Sequence, residues 1–271
     1  MLSATIDVAR LRANGTLPIP PGTTEIIMEV GANTRNTADR ELLPRRPGAF
    51  LISFEPLLDK YGTLLSRNSI QDHRSPLGHH HKRGLVLPFA VAKQDGFATF
   101  HLDGTVDGCA SLLNATGRRG INGIHGCAST RSGDREERRV PTVSLRTVLG
   151  RWLAWEDGGG WPVAYLKIDA QGMDVKVLES AGELMGRIQQ VEMEVVRDTC
   201  PRMYETAPNC SESVEAMARF GFTTKKTCVS ARFQGAKQHG RDRIGCEDEF
   251  IFTARYPSGL QAKADATRSS R

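Results

Sequence analysis

Hydrophobic positions along the chain fall into short β-branched runs separated by amphipathic stretches. Glu25-Ile-Ile-Met-Glu-Val30 reads as a first strand that stops at Gly31, and Ala49–Phe54 as a second. Between them, a cap at Asn36 or Thr37, followed by Asp39 and Glu41, opens a helix to about Leu43 that Pro44 and Pro47 end. Leu57, Leu58, Tyr61, Leu64 and Leu65 share one face of a helix over Leu57–Ser66. Gly84–Val91 is a third strand made irregular by Pro88, and Thr99–Leu102 is a short extended piece. Residues 103–139, rich in Gly, Asn, Ser and Arg, carry no periodicity and read as a long functional loop. Order returns with Val140, a helix from the cap Ser144 to about Trp155, and a fourth strand at Val163–Ile168. A helix over Met173–Leu184, an alternating strand at Ile188–Val195 and a helix over Ser211–Phe220 stopped by Gly221 follow. The last strands are Phe222–Val229 and Glu249–Ala254, and the tail beyond Pro257 frays.

Alternation of strand and helix predicts an α/β fold, a mostly parallel sheet with helices on both faces. The last two strands have no helix between them, which predicts an antiparallel strand at one end of the sheet. In open sheets of this kind, ligands bind beyond the carboxyl ends of the strands. The residues there are Glu29-Val-Gly-Ala-Asn33 after the first strand, Glu55-Pro56 after the second and Asp169 after the fourth. Gly31 permits a sharp turn and close backbone approach. Glu55 follows it at nearly the spacing at which an acid grips a ribose diol. Together they predict a nucleoside-cofactor site, for a dinucleotide or for S-adenosylmethionine. A dinucleotide site calls for G-x-G-x-x-G, whereas Asn33 and Arg35 occupy the later glycine positions of this loop. S-adenosylmethionine has no phosphate to accommodate, and the acid Glu29 suits a sulfonium and its amino group.

Composition narrows the partners. The net charge of +5 is mild and scattered, and aromatics are 6% of residues, so a nucleic-acid groove is not expected. No apolar run approaches the ~18 residues of a membrane helix, and the first twenty residues hold no apolar signal core. The six cysteines lack C-x-x-C spacing. A cytoplasmic setting with free thiols and no metal is therefore the expectation. His79-His-His81 reads as a solvated basic loop, and His73, His101 and His125 as isolated residues without a catalytic part.

Five segments in order, Glu29-Val-Gly-Ala-Asn33, Ser53-Phe-Glu-Pro56, Pro88-Phe-Ala-Val91, Val140-Pro-Thr-Val-Ser-Leu145 and Leu166-Lys-Ile-Asp-Ala-Gln-Gly172, resemble the FkbM-type S-adenosylmethionine-dependent methyltransferase domain over roughly residues 24–200. The resemblance implies a Rossmann-like class I methyltransferase sheet of seven strands with the last antiparallel, and O-methylation of a small molecule or sugar. It implies that Gly31, Ala32 and Asn33 hold the methionine end, that Glu55 with Pro56 binds the ribose, that Ala90 and Val91 flank adenine and that Asp169 faces methionine or substrate. Asp169 is the first candidate base, Lys167 its neighbour on the same side of the strand, and Glu194 the second candidate. Asp107-Gly-Cys-Ala-Ser-Leu112 suggests a loop folding over the cofactor with Ser111 in contact. The expected organisation is an N-terminal extension 1–23, a methyltransferase domain 24–256 with 103–139 as a possible lid, and a tail 257–271. Three positions depart from the family: Arg35 for Gly, Arg146 for Asp and Gln171 for Glu. A nucleotide-dependent oxidoreductase and a non-catalytic cofactor-binding relative are the alternatives.

Overall fold

The computed structural model describes residues 11–35, 37–69, 79–103, 108–116, 135–154, 159–229 and 246–255. Asn36, His73, Asp107, His125, most of the 103–139 segment and the tail beyond Pro257 lie outside the described residues. The core of the molecule is a parallel array of β1 (Glu25–Val30), β2 (Ala49–Phe54), β4 (Gly84–Leu87), β8 (Val163–Ile168) and β9 (Gln190–Val196). Every residue of β2 and β8, and all of β1 after Glu25, is buried. Strands covered on both faces need such continuous apolar runs, which is why these three carry them.

Three further strands, β3 (His79–His81), β10 (Phe222–Thr223) and β11 (Glu247–Ala254), complete the main sheet. The order across it is β10-β11-β9-β8-β1-β2-β4-β3. Seven of these strands form the expected sheet, with the last in the chain, β11, antiparallel to β9. It is inserted beside β9 rather than placed at the edge, and the short β10 flanks it. The eighth strand, β3, pairs antiparallel with β4, so the histidine run is an edge strand and not a loop.

Pro88 divides the expected third strand. The chain leaves the main sheet there, and β5 (Ala90–Val91) joins β7 (Arg135–Val143) and β6 (Gly96–Asp103) in a small second sheet ordered β5-β7-β6. The hydrophobic pattern does not announce this sheet, because its pairing spans the aperiodic segment.

Helices α1 (Thr37–Glu41) and α2 (Leu58–Ser69) follow β1 and β2. The Ser144 side chain caps α3 (Leu145–Thr147), which continues as a π-type turn over Val148–Trp152. The helix expected from Met173 is shorter, α4 (Asp174–Glu179), and a 3-10 turn takes over at Gly182–Arg187. Helix α5 (Cys210–Arg219) opens with a reciprocal cap between Asn209 and Glu212 and ends at Gly221 with φ of +87°. In β9, buried Val191, Met193 and Val195 alternate with the partly buried Glu192 and Glu194.

The cysteines overturn the expectation of free thiols. Cys200 pairs with Cys246 and Cys210 with Cys228, Cys109 is disulfide-bonded too, and no cysteine among the described residues is free. The partners lie 46 and 18 residues apart in sequence, so no local spacing announces them. Closing loops of these lengths removes enough freedom from the unfolded chain to stabilise the fold by about 4 and about 3 kcal/mol in the chain-entropy picture. Denaturing thiol titration is expected to find no reactive cysteine before reduction, and dithiothreitol to shift the urea midpoint down by a corresponding amount. Six reactive thiols in unreduced protein would contradict the pairing.

Candidate active site

The carboxyl ends of β1, β2 and β8, the Phe89–Val91 bend and the stretch from Gly108 to Leu112 wall a cleft of about 1020 Å³, its open mouth included. Backbone laces the strand ends together. The N–H groups of Gly31 and Ala32 donate to the Phe54 carbonyl at 3.0 and 3.1 Å, and the Asp169 N–H donates to Val30 at 2.9 Å. Gly31 has φ of +78°, and a Cβ there would lie 2.0 Å from the Asp169 carbonyl oxygen. Only glycine lets β1 turn so close to β8.

Glu55 is 4% exposed and joins two walls. Its Oε2 accepts from the Asn33 N–H at 2.7 Å and its Oε1 from the Leu57 N–H at 2.9 Å. Each carboxylate oxygen has a second lone pair, so both can still accept from a diol in the cleft. Glu29 stands at the other side of the loop. Its Oε1 accepts from the Thr37 and Ala38 N–H groups at the start of α1, at 3.0 and 3.2 Å, while its buried Oε2 has no partner. Ala32 and Asn33 complete this wall, with Asn33 in the left-handed region at φ of 50°.

Ala90 and Val91 are buried and line the cleft, as do Pro56, Phe89 and Phe100. Phe89 meets Trp152 edge-on with ring centres 5.6 Å apart. The cleft lining thus combines buried acids with apolar side chains.

Asp169 lines the floor, and its Oδ1 accepts from the Gln171 amide nitrogen at 2.8 Å. The Gln171 amide oxygen in turn accepts from the Tyr204 hydroxyl at 2.8 Å. Gln171, at φ of 50°, is held a third time by Ser111, whose Oγ donates to its carbonyl at 2.8 Å. Ser111 thus braces the Asp169 loop from behind, while its neighbours Ala110 and Leu112 border the cleft. Lys167 also lines the cleft, and its Nζ donates to Glu192 at 2.8 Å and approaches Glu249 at 3.5 Å. Burial opposes the charge of Lys167, but the Glu192 hydrogen bond and the Glu192 and Glu249 charges overcome it and hold the ammonium firmly protonated. Removing one partner of so enclosed a pair costs about 3–5 kcal/mol.

Glu194 lies outside the cleft, in an adjoining cavity with Glu247 and Asp174. Arg35 is exposed at the cleft mouth. Arg146 pairs with Glu183 at 2.8 Å on the surface and does not line the cleft. Phe89, Phe100, Leu57 and Lys60 line the cleft without being singled out by the sequence. Phe89 sits inside the Pro88–Val91 segment and is within reach of sequence reasoning, whereas Phe100 joins through the unexpected small sheet. Lys60 is a helical residue with a buried charge near Glu55, which no pattern of apolar positions signals.

Burial is the main reason that the Glu29 and Glu55 carboxyls are both raised from 4.5 to about 7, with backbone N–H groups and Lys167 or Lys60 opposing it. A raised folded pKa means that each group's contribution to stability is complete below the unfolded value of 4.5 and is lost as pH rises through about 7. The ligand-free protein is therefore expected to unfold at lower urea at pH ~8 than at pH ~5.5. Glu29→Gln and Glu55→Gln should each flatten that slope, and curves parallel to wild type in both variants would contradict the assignment.

Among known proteins, a family profile for the methyltransferase FkbM domain matches residues 29–223. No curated protein matches the chain. The chain is distantly similar to the solved structure of magnesium protoporphyrin IX methyltransferase (ChlM) from Synechocystis PCC 6803 with bound SAM. That likeness has 5% identity, a TM-score of 0.38 and coverage of 86% of this chain and 72% of that one. It is also similar to a point mutant of the 16S rRNA (adenine(1408)-N(1))-methyltransferase from Catenulisporales acidiphilia, at 9% identity, TM-score 0.40, and 92% and 99% coverage. The fibrillarin/Nop5p complex gives 12% identity, TM-score 0.39, and 86% and 74% coverage. Likenesses this remote carry no argument about the acceptor. The family match spans most of the chain, and the chain belongs to the FkbM methyltransferase family, with S-adenosylmethionine as its cofactor.

Proposed function

We propose that this protein methylates a hydroxyl on a small molecule or sugar, with Asp169 as the general base. The observation that carries this reading is the meeting of Asp169, Glu29 and Glu55 in one cleft around the Gly31 turn. The cofactor, when bound, supplies an electrophilic methyl group on a sulfonium. The residues present fit it. Glu55 offers acceptor lone pairs for the two ribose hydroxyls, and the buried, unpartnered Glu29 Oε2 offers a counter-charge for the methionine ammonium. Ala90 and Val91 offer adenine an apolar wall, and the Gly31-Ala32-Asn33 backbone runs beside the methionine end. The side chains of Asn33 and Arg35 stand where a dinucleotide loop keeps glycines, which weighs against a pyrophosphate.

Asp169 takes the acceptor's proton in this reading, and Gln171, itself held by Tyr204, fixes the carboxylate rotamer. A glutamine at this position donates to Asp169 where the family's glutamate would place a second carboxylate. Lys167 serves as a fixed positive charge in the cleft wall, and Glu194 lines the adjoining cavity rather than the cleft. Arg146, on the surface, gives no support to a non-catalytic reading. No helix among the described residues is long and apolar enough to cross a membrane. The paired cysteines favour an oxidising compartment over the cytoplasm.

Glu55→Ala is expected to weaken S-adenosylhomocysteine binding by roughly 10- to 100-fold in calorimetry, as the loss of charge-assisted hydrogen bonds predicts. NAD should give no thermal stabilisation, and stabilisation by NAD alone would sink the reading. With a panel of hydroxylated acceptors, Asp169→Asn should lower the rate of S-adenosylhomocysteine release by ~100-fold or more while leaving cofactor affinity nearly unchanged. Unaltered turnover in that variant would move the base elsewhere.

A further inference from the structure

Behind the Gln171 loop lies a second cavity, lined by Asp174, Glu194 and Glu247 together with Met193, Met203 and the Tyr204 ring. Gln171 belongs to the walls of both cavities, so the second one adjoins the floor of the cleft where Asp169 stands. No lysine, arginine or histidine among the described residues lines it. Asp174 is 5% exposed, and its Oδ2 accepts from the Gly172 N–H at 3.2 Å, while its buried Oδ1 has no hydrogen-bond partner among the described residues. A buried carboxylate oxygen without a donor costs free energy that a cation beside it would recover.

We propose that this cavity is an acceptor subsite for a substituted ammonium group, so that the substrate is a hydroxyl compound that also carries a primary amine. The inference rests on the methyl-transfer reading above for the meaning of the neighbouring cleft. Three observations favour an organic ammonium over an inorganic ion. The acids meet at the cavity from different elements, Asp174 from α4, Glu194 from β9 and Glu247 from β11, and the described residues hold no set of three ligands able to coordinate a metal. Beside Gln171, Gly172 and Ser213, the rest of the wall is an aromatic ring, two thioethers, Val196, Ala207 and Pro208, which suit the carbon next to an amine. An ammonium has three N–H donors, one of which would serve the orphaned Asp174 oxygen.

The charges around the cavity act in the same sense. Burial, and then neighbouring acids, raise Glu194 to about 9 and Glu247 and Asp174 to about 7. The groups facing them are Asp169 from the end of β8 and Glu249 from β11, both acidic, Glu247 shares a hydrogen bond with Glu194, and Lys167 is bonded to Glu192 and Glu249. An ammonium entering at neutral pH would displace protons from these carboxyls, so its binding tightens as pH rises.

The test uses the full chain with methylammonium chloride as probe and tetramethylammonium chloride, at equal ionic strength, as the control that cannot donate hydrogen bonds. Methylammonium should raise the melting temperature more than tetramethylammonium at pH ~8, the difference should shrink towards pH ~5.5, and calorimetry should register proton release on binding. Asp174→Asn should weaken methylammonium by roughly tenfold or more, and Glu247→Gln serves the same comparison if the first variant does not fold. Equal effects of the two salts, larger stabilisation by potassium or magnesium, or an unchanged response in the variants would overturn the subsite. S-adenosylhomocysteine binding is measured on the same samples. If it binds and methylammonium does not, the subsite alone fails. If S-adenosylhomocysteine does not bind, the methyl-transfer reading fails with it.

Discussion

The site depends on a contact in which nothing larger than a hydrogen atom fits. Where β1 ends, the chain turns at Gly31 against the Asp169 carbonyl, at a point where a Cβ would overlap the carbonyl oxygen. That contact brings the ends of two central strands to the same point and sets the height of the loop that Glu55 then holds through the Asn33 N–H. From there the rest follows in order. Glu29 ties the loop to α1, Glu55 ties it to the start of α2, and Asp169 is left on the floor between them. The position of each acid is therefore inherited from backbone packing, and only its rotamer is set by side-chain neighbours.

Electrostatics runs against the fold at this place. Glu29, Glu55, Asp174, Glu194 and Glu247 are all raised, chiefly by burial, and the described structure supplies few cations in return. Hydrogen bonds from backbone N–H groups recover part of the cost at Glu29 and Glu55, and Lys167 is committed to Glu192 and Glu249. Two buried oxygens at this place, Glu29 Oε2 and Asp174 Oδ1, have no hydrogen-bond partner among the described residues. Such a region is stabilised by whatever positive charge it binds, and this links ligand affinity, pH and folding in one balance.

The main sheet is legible in the sequence because its central strands are buried on both faces and so must be continuous apolar runs closed by turn residues. Glu25–Val30, Ala49–Phe54 and Val163–Ile168 stand where those runs predict them. The acids at their ends can be placed for the same reason, since position after a strand is enough to put Glu55 and Asp169 in the cleft. What escapes depends on contacts distant in sequence. Ala90 pairs with Thr142 and Gly96 also with Thr142, across a segment without periodicity, so the small sheet has no local signature. Ser111 is expected at the cofactor, but a single polar residue in an aperiodic loop does not reveal which way it faces, and its Oγ reaches Gln171 from behind. Glu194 shows only alternation, and alternation does not tell which of two adjoining cavities a side chain enters. The cysteine pairs join residues whose proximity exists only after folding.

The Cys200–Cys246 bridge has a consequence for how such a protein can diversify. It fastens the segment carrying Met203 and Tyr204 to the start of β11, and backbone bonds from Thr116 to Met203 and from Glu205 to Asn114 hold that segment to the Gly108–Thr116 stretch. None of these residues is part of the parallel strands that shape the loop around Gly31. The strand-end wall of the cleft and the wall of the adjoining cavity are thus built from separate stretches of chain with separate anchors. Changes in the cross-linked wall can alter what is admitted while the strand-end wall keeps its geometry, so the molecule is arranged as a constant half and an interchangeable half that meet at Gln171.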